Sequence, residues 1–278
     1  MNSEIAFVAM AAGIGRRYEG TKQLETFGKA GLTIAEYNML HALDAGFTKF
    51  YFIVSEQLAE AFHRRLKNFL PGNCAFGLIY QKKEHELAKF SPRTKPWGTA
   101  HAVMCCASAV DCNFCVSNAD DLYGRDAIFR AAEFLKSAAT NAKAFANVAY
   151  KLSETLSESG AVSRGVMAVD KNSCLKSIGE VHRLSVDGVN TLKISKNSLV
   201  SMNLWCFTPK VFGLLKASWN EFKKNISNVS DDEFGLPFFA NAAIGNGKCS
   251  VNVLQTTSKW YGVTYRADDK SMEKALEE

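Results

Sequence analysis

Two short stretches hold the residues best suited to chemistry. The first, Ala11-Ala12-Gly13-Ile14-Gly15-Arg16-Arg17-Tyr18-Glu19-Gly20-Thr21-Lys22, follows the apolar run Ile5–Met10. Glycines after a strand let backbone N–H groups approach phosphate oxygens. The cations Arg16, Arg17 and Lys22 match the charge of a triphosphate; the same residues also suit a tight turn with solvated cations. Two common phosphate loops are absent: there is no GxxxxGK[ST], and Tyr18 stands where GxGxxG needs its third glycine. The second stretch, Asn118-Ala119-Asp120-Asp121, follows the apolar run Asn113–Ser117. Asp120 then sits at the C-terminal end of a strand, where open α/β sheets bind ligands. Carboxylates there suit magnesium, which takes one or two of them together with phosphate oxygens. Of two sequential residues one normally points away. Asp121 therefore either stands in for Asp120, caps the helix that follows, or faces solvent.

These stretches need a scaffold, and the pattern supplies one. Apolar runs at Ile5–Met10, Lys49–Val54, Ala75–Tyr80, Asn113–Ser117 and Lys143–Tyr150 predict strands. Helical spacing predicts helices from Ile34 on, over Gln57–Leu70, Thr99–Ala109 and Arg125–Ala139. Thr33-Ile34-Ala35-Glu36 has the form of a capping box, and Gly46 suits the far end of that helix. This alternation predicts an α/β fold, a mostly parallel sheet covered by helices. After about residue 150 the pattern becomes richer in strands. Val166–Val169 and Leu175–Gly179 read as a hairpin around a polar turn from Asp170 to Ser173. Leu199–Phe207, Ser250–Gln255 and Trp260–Tyr265 read as strands, Pro209–Lys224 and Glu233–Ala243 as helices. No repeat or linker interrupts the chain, so 1–278 reads as one domain with a β-rich insert.

Composition narrows the classes. Of 278 residues, 47% are hydrophobic and 22% charged, which excludes disorder and collagen-like repeats. Lys and Arg number 33 against 28 Asp and Glu, a net charge of +5. That suits a binder of small anions and falls short of a nucleic-acid-binding face. No run is long enough to span a membrane, and Glu4 ahead of the first apolar stretch, with no Lys or Arg before it, argues against a signal peptide. Eight cysteines in a chain of this length, several of them in apolar runs, read as reduced thiols in the cytoplasm. Cys112-Asn113-Phe114-Cys115 is a CxxC without the second pair a zinc site needs, so it reads as two thiols at the edge of a buried strand.

Four segments in order then resemble the sugar-phosphate nucleotidyltransferases, also called nucleoside-diphosphate-sugar pyrophosphorylases. Ala11-Ala12-Gly13-x-Gly15-x-Arg17 with Lys22-Gln23-Leu24 resembles their signature loop. Pro96-Trp97-Gly98-Thr99-Ala100-His101-Ala102 resembles their second nucleotide segment. Asn118 to Gly124 resembles their metal-binding strand end, and Val200 to Trp205 their sugar-contacting strand. The resemblance implies a Rossmann-like fold, with a nucleotide-binding half over 1–150 and a sugar-binding insert and C-terminal part over 151–278. It implies that Ala11, Ala12, Gly13, Gly15, Arg16 and Arg17 wrap a triphosphate, while Lys22 neutralises the α-phosphate and the acceptor phosphate. Gln81, Gly98 and Thr99 would meet a base, with a pyrimidine favoured. Asp120 would share Mg2+ with a late acid, Asp268 or else Asp269. Gly160, Glu180 and Asn203 would contact the sugar, and Arg164 the acceptor phosphate. His101 reads as a core histidine or one supporting the base segment. The cations Lys82, Lys83, Lys89, Arg93 and Lys95 read as a solvated loop or one that screens phosphates. No hexapeptide-repeat acyltransferase domain is expected.

The implied activity is magnesium-dependent condensation of a nucleoside triphosphate with a sugar 1-phosphate, releasing pyrophosphate. The implied partners are small molecules rather than nucleic acid or membrane, with assembly into a homo-oligomer open. Two alternatives remain. One is a cytidylyltransferase for a non-sugar phosphate, where Trp97, Trp205 and Trp260 would be candidates for an aromatic cage. The other is a non-catalytic sugar-nucleotide sensor.

Overall fold

The computed structural model describes residues 4–13, 22–81, 93, 95–137, 144–157, 160–185, 194–262, 272 and 276. Its strands in chain order are β1 (Ile5–Met10), β2 (Thr26–Phe27), β3 (Leu32–Thr33), β4 (Lys49–Val54), β5 (Ala75–Tyr80), β6 (Asn113–Asn118) and β7 (Asp121–Leu122), then β8 (Ala144–Lys151), β9 (Val162–Val169), β10 (Leu175–Leu184), β11 (Leu199–Phe207), β12 (Ser250–Gln255) and β13 (Tyr261–Gly262). The α-helices are α1 (Ile34–Asp44), α2 (Glu56–Phe69), α3 (Thr99–Met104), α4 (Arg125–Ser137), α5 (Val211–Lys224) and α6 (Leu236–Gly245).

Nine strands form one sheet in the order β10-β9-β11-β6-β1-β4-β5, and β11 also pairs with β8, which pairs with β12. β5, β4, β1 and β6 run parallel, as do β8 and β12. β11 runs against β6, β8 and β9. The sheet is therefore mixed and mostly parallel, as the alternation predicts. β1 lies between β4 and β6, and its continuous apolar run follows from burial on both faces. Ile5, Phe7 and Ala9 enter one core with α1, α2 and α4, through residues such as Met39, Phe62 and Ile128. Ala6 and Val8 enter a second core with α3, α5 and α6, through Val103, Leu215 and Phe239. The arrangement is helix, sheet, helix.

Local chemistry sets the element ends. Thr33 and Glu36 form the capping box at α1: Glu36 N donates to Thr33 Oγ1 at 3.2 Å, and Thr33 N donates to Glu36 Oε2 at 2.7 Å. In the β9–β10 turn, Asp170 Oδ1 accepts from the N–H groups of Asn172 and Cys174. Several boundaries differ from expectation. β9 starts at Val162 instead of Val166, because Arg164 turns inward and is buried. The α-helix beginning at Thr99 ends at Met104 and tightens into a 3-10 turn over Cys105–Ser108. α6 begins at Leu236 rather than Glu233, since Pro237 fixes the first turn and lacks the N–H a helix interior needs. The eight cysteines are all free thiols, with Cys115 buried inside β6. Among the described residues, no helix is long and apolar enough to cross a membrane.

Candidate functional site

The C-terminal ends of β1 and β6 open into a cleft of about 480 Å³. Beyond β1, Ala11 is fully buried and its N–H donates to Ile53 O at 2.7 Å. Ala12 and Gly13 then line the cleft. Gln23 returns to the same wall, where its Nε2 donates to Gly13 O at 2.6 Å. Gly15, Arg16 and Arg17 lie outside the described residues. So does the Lys22 side chain, although its backbone opens the 3-10 turn Lys22–Leu24.

The opposite wall is made where Pro96–Thr99 meets Glu233–Leu236. Phe234 N donates to Trp97 O at 2.7 Å, and Ala100 N donates to Phe234 O at 3.0 Å. Thr99 Oγ1 accepts from Leu236 N at 2.9 Å, so it caps α6 while also lining the cleft. Gly98 has φ +105°, and a Cβ there would stand 2.6 Å from Phe234 O. Only glycine fits that close approach. Gln81 follows β5 and lines the cleft. Its Nε2 donates to Gly98 O at 3.1 Å and lies 3.2 Å from His101 Nδ1. Gly98 O can only accept, which fixes the amide orientation and leaves Oε1 as the side chain's remaining polar atom. His101 is buried against Trp219, ring centroids 4.9 Å apart, and supports Gln81 from behind.

At the end of β6 the two aspartates separate. Asp120 is half-buried and lines the cleft. Asp121 is buried; its Oδ2 accepts from Asn118 Nδ2 at 2.8 Å, and its carbonyl accepts from Asn38 Nδ2 at 2.7 Å. It does not face solvent, since it lies in β7, which pairs with β13. Asp268 and Asp269 lie outside the described residues. Among the described residues, no three His, Cys, Asp or Glu side chains gather as a metal cage. Magnesium needs only one or two carboxylates beside phosphate oxygens, so the chemistry of Asp120 in this cleft fits it.

The remaining expected residues stand elsewhere. Asn203 is on β11, its Nδ2 donating to Asn118 Oδ1 at 3.1 Å. Glu180 is exposed on β10, 3.8 Å from His182. Gly160 lies just before β9. Arg164 donates to the carbonyls of Thr155 and Ser163 and lies over the Trp260 ring at 4.7 Å. Burial lowers its pKa to about 10. None of these four lines the cleft.

Of the cationic loop, Lys82, Lys83 and Lys89 lie outside the described residues. Arg93 is not solvated. It is buried, donates to the carbonyls of Lys95, Pro96 and Val229, and lies 4.0 Å over Trp97. Lys95 lines the cleft and pairs with Asp231 at 2.8 Å. Trp97 and Trp205 are buried core residues, and no tryptophan lines the cleft, so among the described residues no aromatic cage forms there. Reading the sequence alone misses Gln23, Asn118 and Glu233, which also line it. Gln23 and Asn118 do fall within the quoted motifs, next to Lys22 and at the strand end.

The chain belongs to the nucleotidyl transferase family, whose model matches residues 8–260. It is a nucleotidyltransferase with a Rossmann-like α/β fold. No curated protein matches it. Solved structures do. An inositol-1-phosphate CTP transferase from T. maritima aligns with a TM-score of 0.68 at 18% identity, covering 100% of this chain and 96% of that one. A UDP-glucose pyrophosphorylase complexed with UDP-glucose gives 0.65 at 14%, covering 99% and 98%. A Bacillus anthracis protein assigned as a glucose-1-phosphate thymidylyltransferase gives 0.66 at 14%, covering 98% and 94%.

Proposed function

We propose that this chain joins a nucleoside triphosphate carrying a pyrimidine base to a sugar 1-phosphate, giving a nucleotide-activated sugar and pyrophosphate. The observation that carries the reading is one cleft lined by Ala12, Gly13, Gln81, Gly98, Thr99 and Asp120. A phosphate oxygen of the acceptor attacks the α-phosphorus in line. The bond from that phosphorus to the bridging oxygen breaks, and pyrophosphate leaves with its electrons. The acceptor is already anionic, so neither a protein nucleophile nor a general base is needed.

What the protein must do is position two anions and offset their charge. Gly13 and its neighbours would bring backbone N–H groups to the phosphates, with Arg16, Arg17 and Lys22 supplying positive charge. Asp120 would hold magnesium, with Asp268 as its second carboxylate. When bound, the ion supplies charge neutralisation at the phosphates. Gln81 would offer Oε1 to an N–H of the base, which all three common pyrimidines possess. A cytoplasmic location accords with substrates of this kind.

The test is pyrophosphate release across CTP, UTP, dTTP, ATP and GTP, each paired with sugar 1-phosphates and with inositol 1-phosphate. Turnover of a pyrimidine triphosphate with a sugar 1-phosphate supports the proposal. Calorimetric binding of a triphosphate with no pyrophosphate from any pair would sink it in favour of a sensor.

A further inference from the structure

Four side chains form a directed chain at the C-terminal end of β6. The Trp205 indole Nε1 donates to Asn203 Oδ1 at 3.0 Å. Asn203 Nδ2 donates to Asn118 Oδ1 at 3.1 Å. Asn118 Nδ2 donates to Asp121 Oδ2 at 2.8 Å. An indole only donates and a carboxylate only accepts, so both ends force the direction and each amide has one allowed orientation.

The backbone is bent to build this chain. Asn203 has φ +67° in the middle of β11, a conformation that side-chain-bearing residues seldom adopt inside a strand. There the pairing with β8 shifts register between Ser201 and Trp205. The bulge turns the Asn203 amide toward the end of β6. Its own N–H is met by Ser201 Oγ at 3.3 Å. A second tie joins the same two places: Tyr123 OH donates to Met202 O and accepts from Asn118 N, both at 2.9 Å. Such local strain persists where the surroundings over-determine it, and it clusters at functional sites.

We propose that Asn203 is a positioning residue, which acts through Asn118 and Asp121 to set the turn that presents Asp120 to the cleft. This rests on the nucleotidyl-transfer reading for its kinetic consequence. It assigns Asn203 a task other than touching the sugar, in keeping with an amide whose oxygen and nitrogen are engaged by Trp205 and Asn118.

The test uses Asn203→Gly in the full chain. Glycine adopts a positive φ without strain, which offsets part of the cost of losing the two amide hydrogen bonds, so the variant should fold with a Tm lowered by only a few degrees. The proposal expects kcat to fall about 10- to 100-fold while KM for the triphosphate stays within about threefold. It also expects faster amide hydrogen exchange in the peptide spanning 117–122. Trp205→Phe keeps the ring stacked on Phe207 but removes the indole N–H, and should lower kcat by a smaller factor. A kcat for Asn203→Gly within about twofold of wild type would overturn the proposal. So would a rise confined to the acceptor KM with exchange unchanged, which would make Asn203 a direct contact. If the wild-type chain turns over no substrate pair, the functional reading has failed. The exchange measurement then still decides: faster exchange upholds the positioning chain, and unchanged exchange overturns it.

Discussion

At the scale of single residues, the site depends on groups whose freedom is already spent. Gly98 illustrates this. Its φ of +105° and the approach of Phe234 O exclude a side chain, so Gly98→Ala should displace the Pro96–Thr99 wall. Unfolding in urea should show a loss of about 2–4 kcal/mol, and triphosphate affinity should fall with it. A variant as stable and as tight-binding as wild type would remove Gly98 from the account. Gln81 makes a milder case. Gln81→Ala removes the amide oxygen proposed to meet the base, and KM for the triphosphate should rise about tenfold with kcat little changed. The motif residues Ala12, Gly13, Gln81, Gly98, Thr99 and Asp120 were legible as a group, and the structure brings them to one cleft. Glu233 was not. It comes to the cleft only because Phe234 pairs with Trp97, a contact between residues 137 apart that leaves no local pattern. Arg93 was misread for a like reason: its carbonyl partners include Val229, far along the chain.

At the scale of elements, capping and turn chemistry made many boundaries legible. β1, β4, β5, β11 and β12 run as their apolar patterns predict, and the Thr33–Glu36 capping box starts α1. β9 was hidden because Ser163-Arg164-Gly165 reads as polar, while Arg164 is buried beneath Trp260 and against Thr155. The start of α4 shows how a distant segment anchors a helix. Asp126 Oδ2 accepts from Thr256 Oγ1 at 2.7 Å, Thr257 N at 2.8 Å and Arg130 Nε at 2.9 Å. Burial pushes the Asp126 carboxyl up, but these donors outweigh it and hold the pKa at about 2, below the ordinary 3.8. A depressed carboxylate contributes its stability in full above the unfolded value. That contribution is lost as pH falls from 3.8 toward 2. Asp126→Asn should therefore cost about 1 kcal/mol at neutral pH, allowing for partial exposure, and nearly nothing near pH 2. Urea unfolding of both proteins over this range checks it; a difference that does not shrink with acid would contradict it.

At the scale of the whole molecule, one sheet with a core on each face holds the cleft open at its C-terminal edge. Phe7 lies at the middle of that sheet, fully buried and edge-on to Phe47 at 5.7 Å. Phe7→Ala should lower stability by about 3–5 kcal/mol in denaturant unfolding, with no rearrangement that fills the gap. The net charge of +5 also finds its place at this scale. Arg16, Arg17 and Lys22 cluster in sequence just beyond β1, while Asp111, Glu4 and Asp231 are tied up in surface ion pairs. In the proposed reaction, the end of β6 carries the group on which nucleotidyl transfer depends. The most direct measurement is pyrophosphate release by Asp120→Asn beside wild type, with saturating triphosphate and acceptor. The rate should fall about 100-fold or more with the fold intact. A rate within about twofold of wild type would contradict it.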